Sequence, residues 1–110
     1  MSIKKLPEDF EYLKEMYDDD YFPNFLVDKL RDTIKEVVVF IEEGNHSKED
    51  IQQALDSMTL KTNELQEEFD ENESEIETVA RDSIGMTVEN ILKYFEIDID
   101  TEEAIREREW

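Results

Sequence analysis

Helical periodicity with little punctuation is the feature that most constrains the fold of this 110-residue chain. Apolar residues recur three or four positions apart almost throughout, and the chain contains only two glycines and two prolines. Long irregular loops need more turn-forming residues than that, so most of the chain is expected to be helical. Short connections make neighbouring helices antiparallel. We therefore predict an all-α fold, an antiparallel helical bundle of three long and two short helices, with residues 1–110 forming a single helical domain.

Turn and capping residues set the expected helix boundaries. A short first helix is expected to begin at Pro7 and to end at the acidic run 18–20. The second helix is expected to run from Pro23 to Gly44. The third and fourth begin at capping boxes, in which a serine is followed three positions later by an acid. These boxes are Ser47 with Asp50 and Ser74 with Glu77, and Asp100 with Glu103 indicates a last short helix that ends near Trp110.

Three features of the apolar pattern carry further expectations. Gly85 lies inside the fourth predicted helix, where glycine costs roughly 1 kcal/mol relative to alanine, so a kink or a close helix contact is expected there. Trp110 is expected to pack back and pin the C-terminus, and the alternative is a recognition role for the free end. The run 37–41 is apolar nearly all round its helix, so either the second helix is central or part of this run meets a second copy in a homodimer.

Charge limits the partners that the chain can have. The sequence contains 32 acidic and 12 basic residues, and its formal net charge is -20. Such a charge repels nucleic acid and anionic membranes and attracts basic surfaces, so we expect neither direct nucleic-acid binding nor membrane binding. There is no cysteine, and the N-terminus lacks an apolar run of signal-peptide length, so we expect a cytoplasmic location.

The densest acidic run covers residues 64–77, which hold eight acids and no base. We interpret this run, the acidic corner, as a docking surface for a basic partner or as a cation site. The alternative is a solvated corner between two helices, stabilised in part by acids near the start of the fourth helix. The candidate partner-binding residues in it are Glu64, Glu67, Glu68, Asp70 and Glu71.

A second unusual segment, residues 17–25, brackets three acids with aromatic side chains. Tyrosine combines a large contact area with a hydroxyl and often anchors interfaces. The alternative is that these aromatics only attach the first helix to the bundle. The candidate partner-binding residues in this aromatic junction are Tyr17, Asp18, Asp19, Asp20, Tyr21 and Phe22.

Known catalytic and metal-binding patterns do not fit this chain. A calcium loop beginning at Asp70 would need glycine at its sixth position, where Glu75 stands, and a loop beginning at Asp98 fails in the same way. The one histidine, His46, lies in a predicted turn and lacks the E-x-x-H pattern of di-iron bundles. No nucleophile motif or phosphate loop occurs. We therefore expect no catalytic residues, no metal site and no cofactor.

The two unusual segments also carry a resemblance. Residues 16–29, MYDDDYFPNFLVDK, resemble the opening of a bacterial family catalogued as domain of unknown function 5713. Residues 65–72, LQEEFDEN, with residues 74–81, SEIETVAR, are similar to its second signature, and the ending at Trp110 also fits. The resemblance implies a stand-alone bacterial cytoplasmic protein. It assigns no activity and no functional residue.

These observations favour a non-catalytic protein-binding module that docks a basic partner, as an inhibitor or immunity-type protein does. Two alternatives stay open. The first is a nucleic-acid mimic whose carboxylates occupy the cleft of a DNA-binding protein. The second is a divalent-cation-responsive carboxylate site.

Overall fold

The computed structural model describes residues 5–110. Residues 1–4, on which part of the expectation about a leader rests, lie outside the described residues. The described chain is helical and contains no strand, with three long helices and two short ones. The predicted fold class is therefore confirmed. The helices are α1 (Lys14–Tyr17), α2 (Asn24–Glu42), α3 (Lys48–Glu71), α4 (Thr78–Tyr94) and α5 (Thr101–Ala104).

Helices α2 and α3 form an antiparallel pair. Lys29 Nζ lies 2.5 Å from Glu68 Oε1, and Lys61 Nζ lies 2.8 Å from Glu36 Oε2. From the first pair to the second, the position advances by seven residues along α2 and goes back by seven residues along α3, as an antiparallel pair requires. The capping box predicted at the start of α3 is present, since the Asp50 N–H donates to Ser47 Oγ at 3.1 Å and the Ser47 N–H donates to Asp50 Oδ2 at 3.4 Å.

The N-terminal segment, residues 5–17, lies between α2 and α4. Its contacts step backward along both helices as the chain advances, so the segment is antiparallel to each. On the α2 side, the Leu6 N–H donates to Glu42 Oε2 at 2.8 Å, and farther along the segment the Tyr17 hydroxyl donates to Asp28 Oδ1 at 2.5 Å. On the α4 side, the Tyr94 hydroxyl donates to the Lys5 carbonyl at 2.9 Å, and Ser83 Oγ donates to Glu15 Oε1 at 2.8 Å.

The C-terminal segment, residues 101–110, lies along α3 and α4. Arg106 Nη2 lies 2.7 Å from Asp56 Oδ2 on α3. Farther along α3, the Asn63 amide donates to the Glu107 carbonyl at 2.8 Å and accepts from the Glu109 N–H at 3.0 Å. Trp110 is half-buried against the core, which confirms its predicted role.

These Asn63 contacts also correct one boundary. The last helix was expected to end near Trp110, but α5 ends at Ala104. Beyond it the chain forms short turns, in which the Arg106 N–H donates to the Glu103 carbonyl and the Arg108 N–H to the Ile105 carbonyl. The Glu107 carbonyl and the Glu109 N–H bond to the Asn63 side chain in place of helical partners.

The first helix begins later than predicted. The sequence places its start at Pro7, but residues 7–10 form only a turn, in which the Phe10 N–H donates to the Pro7 carbonyl at 3.1 Å. The break is Leu13, whose φ of 54° and ψ of 39° are left-handed. Its side chain is fully buried and its N–H donates to Thr87 Oγ1 at 3.1 Å. Core packing thus overrides the local helical pattern.

The capping box predicted at Ser74 is wrong. Helix α4 begins at Thr78, and Glu77 stands at the N-cap position without a side-chain cap. Ser74 belongs instead to the end of α3: its N–H donates to the Phe69 carbonyl at 2.8 Å, and its side chain is buried. Ser74 thus lies four positions before the first residue of α4, outside the N-cap position that its hydroxyl would need in order to cap that helix.

Helix α2 is largely buried through its β-branched run. Val37 and Val38 are buried and Ile41 is half-buried, while Val39 is exposed. This distribution agrees with the interpretation of α2 as a central helix. Of the kink or close helix contact expected at Gly85, the close contact is wrong, because no atom beyond its chain neighbours and its own helix backbone lies within 4 Å of the position that a Cβ would occupy.

Candidate protein-docking site

The fold brings the aromatic junction and the acidic corner together. The ring of Phe22 meets the ring of Phe69 edge-on, with their centroids 6.5 Å apart. Phe22 is 2 % exposed and Phe69 is fully buried. The structure thus places Phe22 in the core, where a partner cannot contact it directly. Its role is to fix the junction onto the C-terminal end of α3.

Tyr21 lies at the border between the two segments. Its side chain is 43 % exposed, and its ring packs edge-on against Phe22 with centroids 5.1 Å apart. Its N–H donates to Asp19 Oδ1 at 3.0 Å. Partial burial, and then the negative charges of Glu75 and Glu77, raise the pKa of the Tyr21 hydroxyl. The phenol therefore stays neutral and projects among carboxylates.

Most carboxylates of the acidic corner have no ionic partner. Glu68 pairs with Lys29 at 2.5 Å. Within residues 5–110, the other seven acids of the corner form no ion pair. Five of the candidate residues stand three or four positions apart on the last turns of α3, where like charges repel by about 0.2–0.5 kcal/mol per pair.

Helix-dipole effects do not account for this cluster. The negative end of the dipole lies at the C-terminus of a helix, and the last turn of α3 contains acids and no base. The first turn of α4, where acids would be favourable, contains none. The stabilisation that the alternative interpretation requires is therefore weak, since Glu77 alone stands at the N-cap of α4.

Glu73 adds backbone strain at the same place. Its φ is 59°, the left-handed region that favours glycine. The chain needs this conformation because the Ser74 N–H returns to the Phe69 carbonyl and closes α3. A charged residue thus occupies a position where glycine would relieve both the strain and part of the repulsion.

The acids of the aromatic junction have mixed surroundings. Asp18 pairs with Lys14 at 3.0 Å, and Asp19 holds the turn at Tyr21. Asp20 is exposed and forms no ion pair among the described residues. Asp20 is thus the carboxylate of this run that is free to meet a partner.

Tyr17 is held inside the protein. Its hydroxyl donates to Asp28 Oδ1 at 2.5 Å and accepts from Arg31 Nη1 at 3.3 Å. Burial first, and then this hydrogen bond to Asp28, raise the pKa of Tyr17 to about 12. Its hydroxyl attaches the N-terminal segment to α2, which is the attachment role that the sequence left open.

Sequence reasoning did not select Phe25 as a candidate, although its side chain is 52 % exposed in the first turn of α2. The available signal was its place one position before Leu26, off the buried stripe of α2. The acids Glu73, Glu75 and Glu77 were also left out of the candidate set, and the corner is completed by them.

One structural finding bears on the cation-site hypothesis, and another concerns membrane spans. In the described part of the chain, no three side chains of the metal-ligating types are grouped closely enough to hold a metal ion. No described helix is long and apolar enough to cross a membrane.

Comparison with known proteins places the chain in a family. A family model described as a family of unknown function, DUF5713, matches residues 6–110. The chain belongs to this family. The two resemblances noted in the sequence therefore fall within a match that spans nearly the whole protein. Neither the curated proteins nor the solved structures contain a match to this chain.

Proposed function

We propose that this DUF5713 protein is a docking module that binds a basic protein surface through the acidic corner and Tyr21. The observation that carries the proposal is the group of seven unpaired acids in the acidic corner, beside an exposed tyrosine that faces two of them, Glu75 and Glu77. Four of the seven lie on the last turns of α3, where they oppose stability. Side chains that oppose stability at one place indicate a use other than folding.

The corner and the tyrosine have different tasks in this proposal. Carboxylates with no internal partner attract a basic surface over a Debye length, about 8 Å at physiological ionic strength, and speed the encounter. Tyr21 and Phe25 then provide apolar contact area at short range. Phe22 holds Tyr21 in place from below.

The proposal includes a place of action. A chain without cysteine suits a reducing compartment, so we place this activity in the bacterial cytoplasm, in agreement with the resemblance. An inhibitor or immunity-type role would use the same surface, since such proteins cover the basic site of a target.

A pull-down with a matched pair of variants tests the proposal. The corner variant carries Glu67→Gln, Asp70→Asn and Glu71→Gln. The control carries Glu8→Gln, Asp9→Asn and Glu11→Gln, which removes the same three charges from exposed positions elsewhere. We expect a basic protein to be recovered at low salt by the wild type and the control, and to be depleted with the corner variant and at moderate salt.

Equal recovery by both variants would refute a docking role for the corner. Competition by duplex DNA for the recovered protein would assign the partner to the DNA-binding class, and would then favour the nucleic-acid mimic. Recovery of the chain itself and nothing else would point to the homodimer.

A further inference from the structure

A groove beside α4 has different chemistry from the acidic corner. It lies between α4 and the C-terminal segment and has a volume of about 520 Å³. That volume falls within the range of small-molecule sites. Among the groups that line it are Arg81, Gly85, Met86, Ile105, Arg108 and Trp110.

The floor of the groove is Gly85. Glycine is unfavourable in a helix interior, and here neither a left-handed φ nor a close approach of another chain segment requires it. The space that its side chain would occupy is open. The missing Cβ therefore deepens the groove at the middle of α4.

Arg81 provides the charge. Arg31, Arg106 and Arg108 each pair with a carboxylate, whereas Arg81 forms no ion pair within residues 5–110. Its Nη2 donates only to Thr78 Oγ1, at 3.1 Å. In a chain with 32 acids, this guanidinium keeps most of its donors available.

Trp110 contributes a second donor without an acceptor. Its indole Nε1 is buried and has no hydrogen-bond partner among the described residues. Buried donors are normally satisfied, so this N–H marks a place where an acceptor is missing. The Nε1 atom is closed to solvent, so the donors that a ligand in the groove can reach are those of the exposed Arg81, and they favour a ligand that carries acceptor oxygens.

The remaining lining limits the charge and shape of that ligand. Asp82, Glu89 and Glu102 also line the groove, and Glu102 already pairs with Arg108 at 3.2 Å. These carboxylates would repel a dianion such as phosphate more strongly than a single carboxylate. Met86, which is 52 % exposed, and Ile105 provide apolar contact for a hydrocarbon body.

We infer that this groove binds a small monocarboxylate with an apolar body, its carboxylate on Arg81 and its body over Gly85 and Met86. A planar guanidinium can bind a carboxylate through two parallel hydrogen bonds. This site is separate from the docking surface, so either can fail without the other.

The single tryptophan makes the test direct, because Trp110 is part of the groove. Hexanoate is titrated into the full chain at constant ionic strength while tryptophan fluorescence is recorded, and hexanamide serves as the uncharged probe. We expect a saturable change with hexanoate below about 10 mM, and binding of hexanamide at least about tenfold weaker. No saturable change, or equal binding of the two probes, would overturn the inference.

Two variants separate the site from a general effect. Arg81→Gln is expected to weaken hexanoate binding about tenfold, whereas Lys61→Gln, which removes one positive charge on α3, leaves it unchanged. Gly85→Ala fills the floor, so it is expected to weaken binding while raising the midpoint of thermal unfolding by about 4 °C. Unaltered hexanoate binding in both Arg81→Gln and Gly85→Ala would refute the site.

Discussion

The two ends of α3 differ in how their charged side chains affect the stability of the helix. At its N-terminus, Ser47 and Asp50 form a capping box and the acids of the first turn suit the positive end of the helix dipole. At its C-terminus, acids crowd the negative end without a base, and the left-handed position that closes the helix holds Glu73. One end is organised for folding. The other tolerates repulsion and strain, which is why we assign the binding role to it.

The largest expected effect on stability separates the buried ring of the aromatic junction from its exposed ring. Phe22→Ala removes a ring that is 2 % exposed and packs on Phe69, so the free energy of unfolding should fall by about 3–5 kcal/mol. Phe25→Ala, at a ring that is 52 % exposed, should change it by less than about 0.5 kcal/mol. Urea denaturation measures both. Similar losses of unfolding free energy in the two variants would contradict this distinction between a buried and an exposed ring.

A smaller effect tests the folding end of α3. Ser47→Ala removes the acceptor of the Asp50 N–H and should lower the free energy of unfolding by about 1 kcal/mol. Thr78→Ala, in the first turn of α4 where no side-chain cap is formed, is the comparison. It should change stability by less than about 0.5 kcal/mol. Equal losses would mean that the capping box contributes nothing particular.

Glu73→Gly tests the strained end of α3 with a matched control. The substitution removes the strain of a non-glycine residue at a left-handed φ of 59°, so it should raise the free energy of unfolding by about 1 kcal/mol. Glu96→Gly does the same at the end of α4, where φ is 57°. Both variants should be more stable in chemical denaturation, but only Glu73→Gly should weaken binding of the basic partner. Loss of binding in both would indicate an effect of net charge alone.

The smallest effect concerns alkaline pH. The pKa of Tyr17 is raised to about 12 in the folded protein from about 10 in the unfolded chain, chiefly by burial and then by its bond to Asp28. The contribution of this neutral phenol is complete below pH 10 and is lost as the pH rises towards 12. Thermal unfolding from pH 9 to 12 should show a decline that is shallower in Tyr17→Phe. Identical slopes would contradict the assigned role of Tyr17.

Local rules predicted this fold well where nothing tertiary competed with them. The stripes of α2 and α3, the cap at Ser47 and the position of Trp110 follow from periodicity and capping chemistry. The predictions failed at Leu13, at Ser74, at the end of the last helix and at Gly85. At Leu13 and Ser74, core packing and the closure of α3 decide the backbone, and both depend on contacts with residues that are distant in sequence or in the preceding helix.

The candidate site was predictable in part. The acidic run and the aromatic run are visible in the sequence as composition. Their contact through Phe22 and Phe69 could not be predicted, because these residues are 47 positions apart in sequence and only the fold brings them together. Sequence could not separate the buried Phe22 from the exposed Tyr21 and Phe25, because turn residues 18–23 have no regular period. The groove at Gly85 was visible only as an unexplained glycine.

The most direct test of the account measures stability and association in the same pair of triple variants. Replacing Glu67, Asp70 and Glu71 by their amides removes repulsion at a helix C-terminus, and so the free energy of unfolding should rise by about 1 kcal/mol. The association rate with the recovered basic partner should fall at low salt and lose most of its dependence on salt. The control at Glu8, Asp9 and Glu11 should retain most of the wild-type rate. A corner variant that is no more stable than the wild type, and that associates as fast as the control, would contradict the claim that this end of α3 gives up stability for binding.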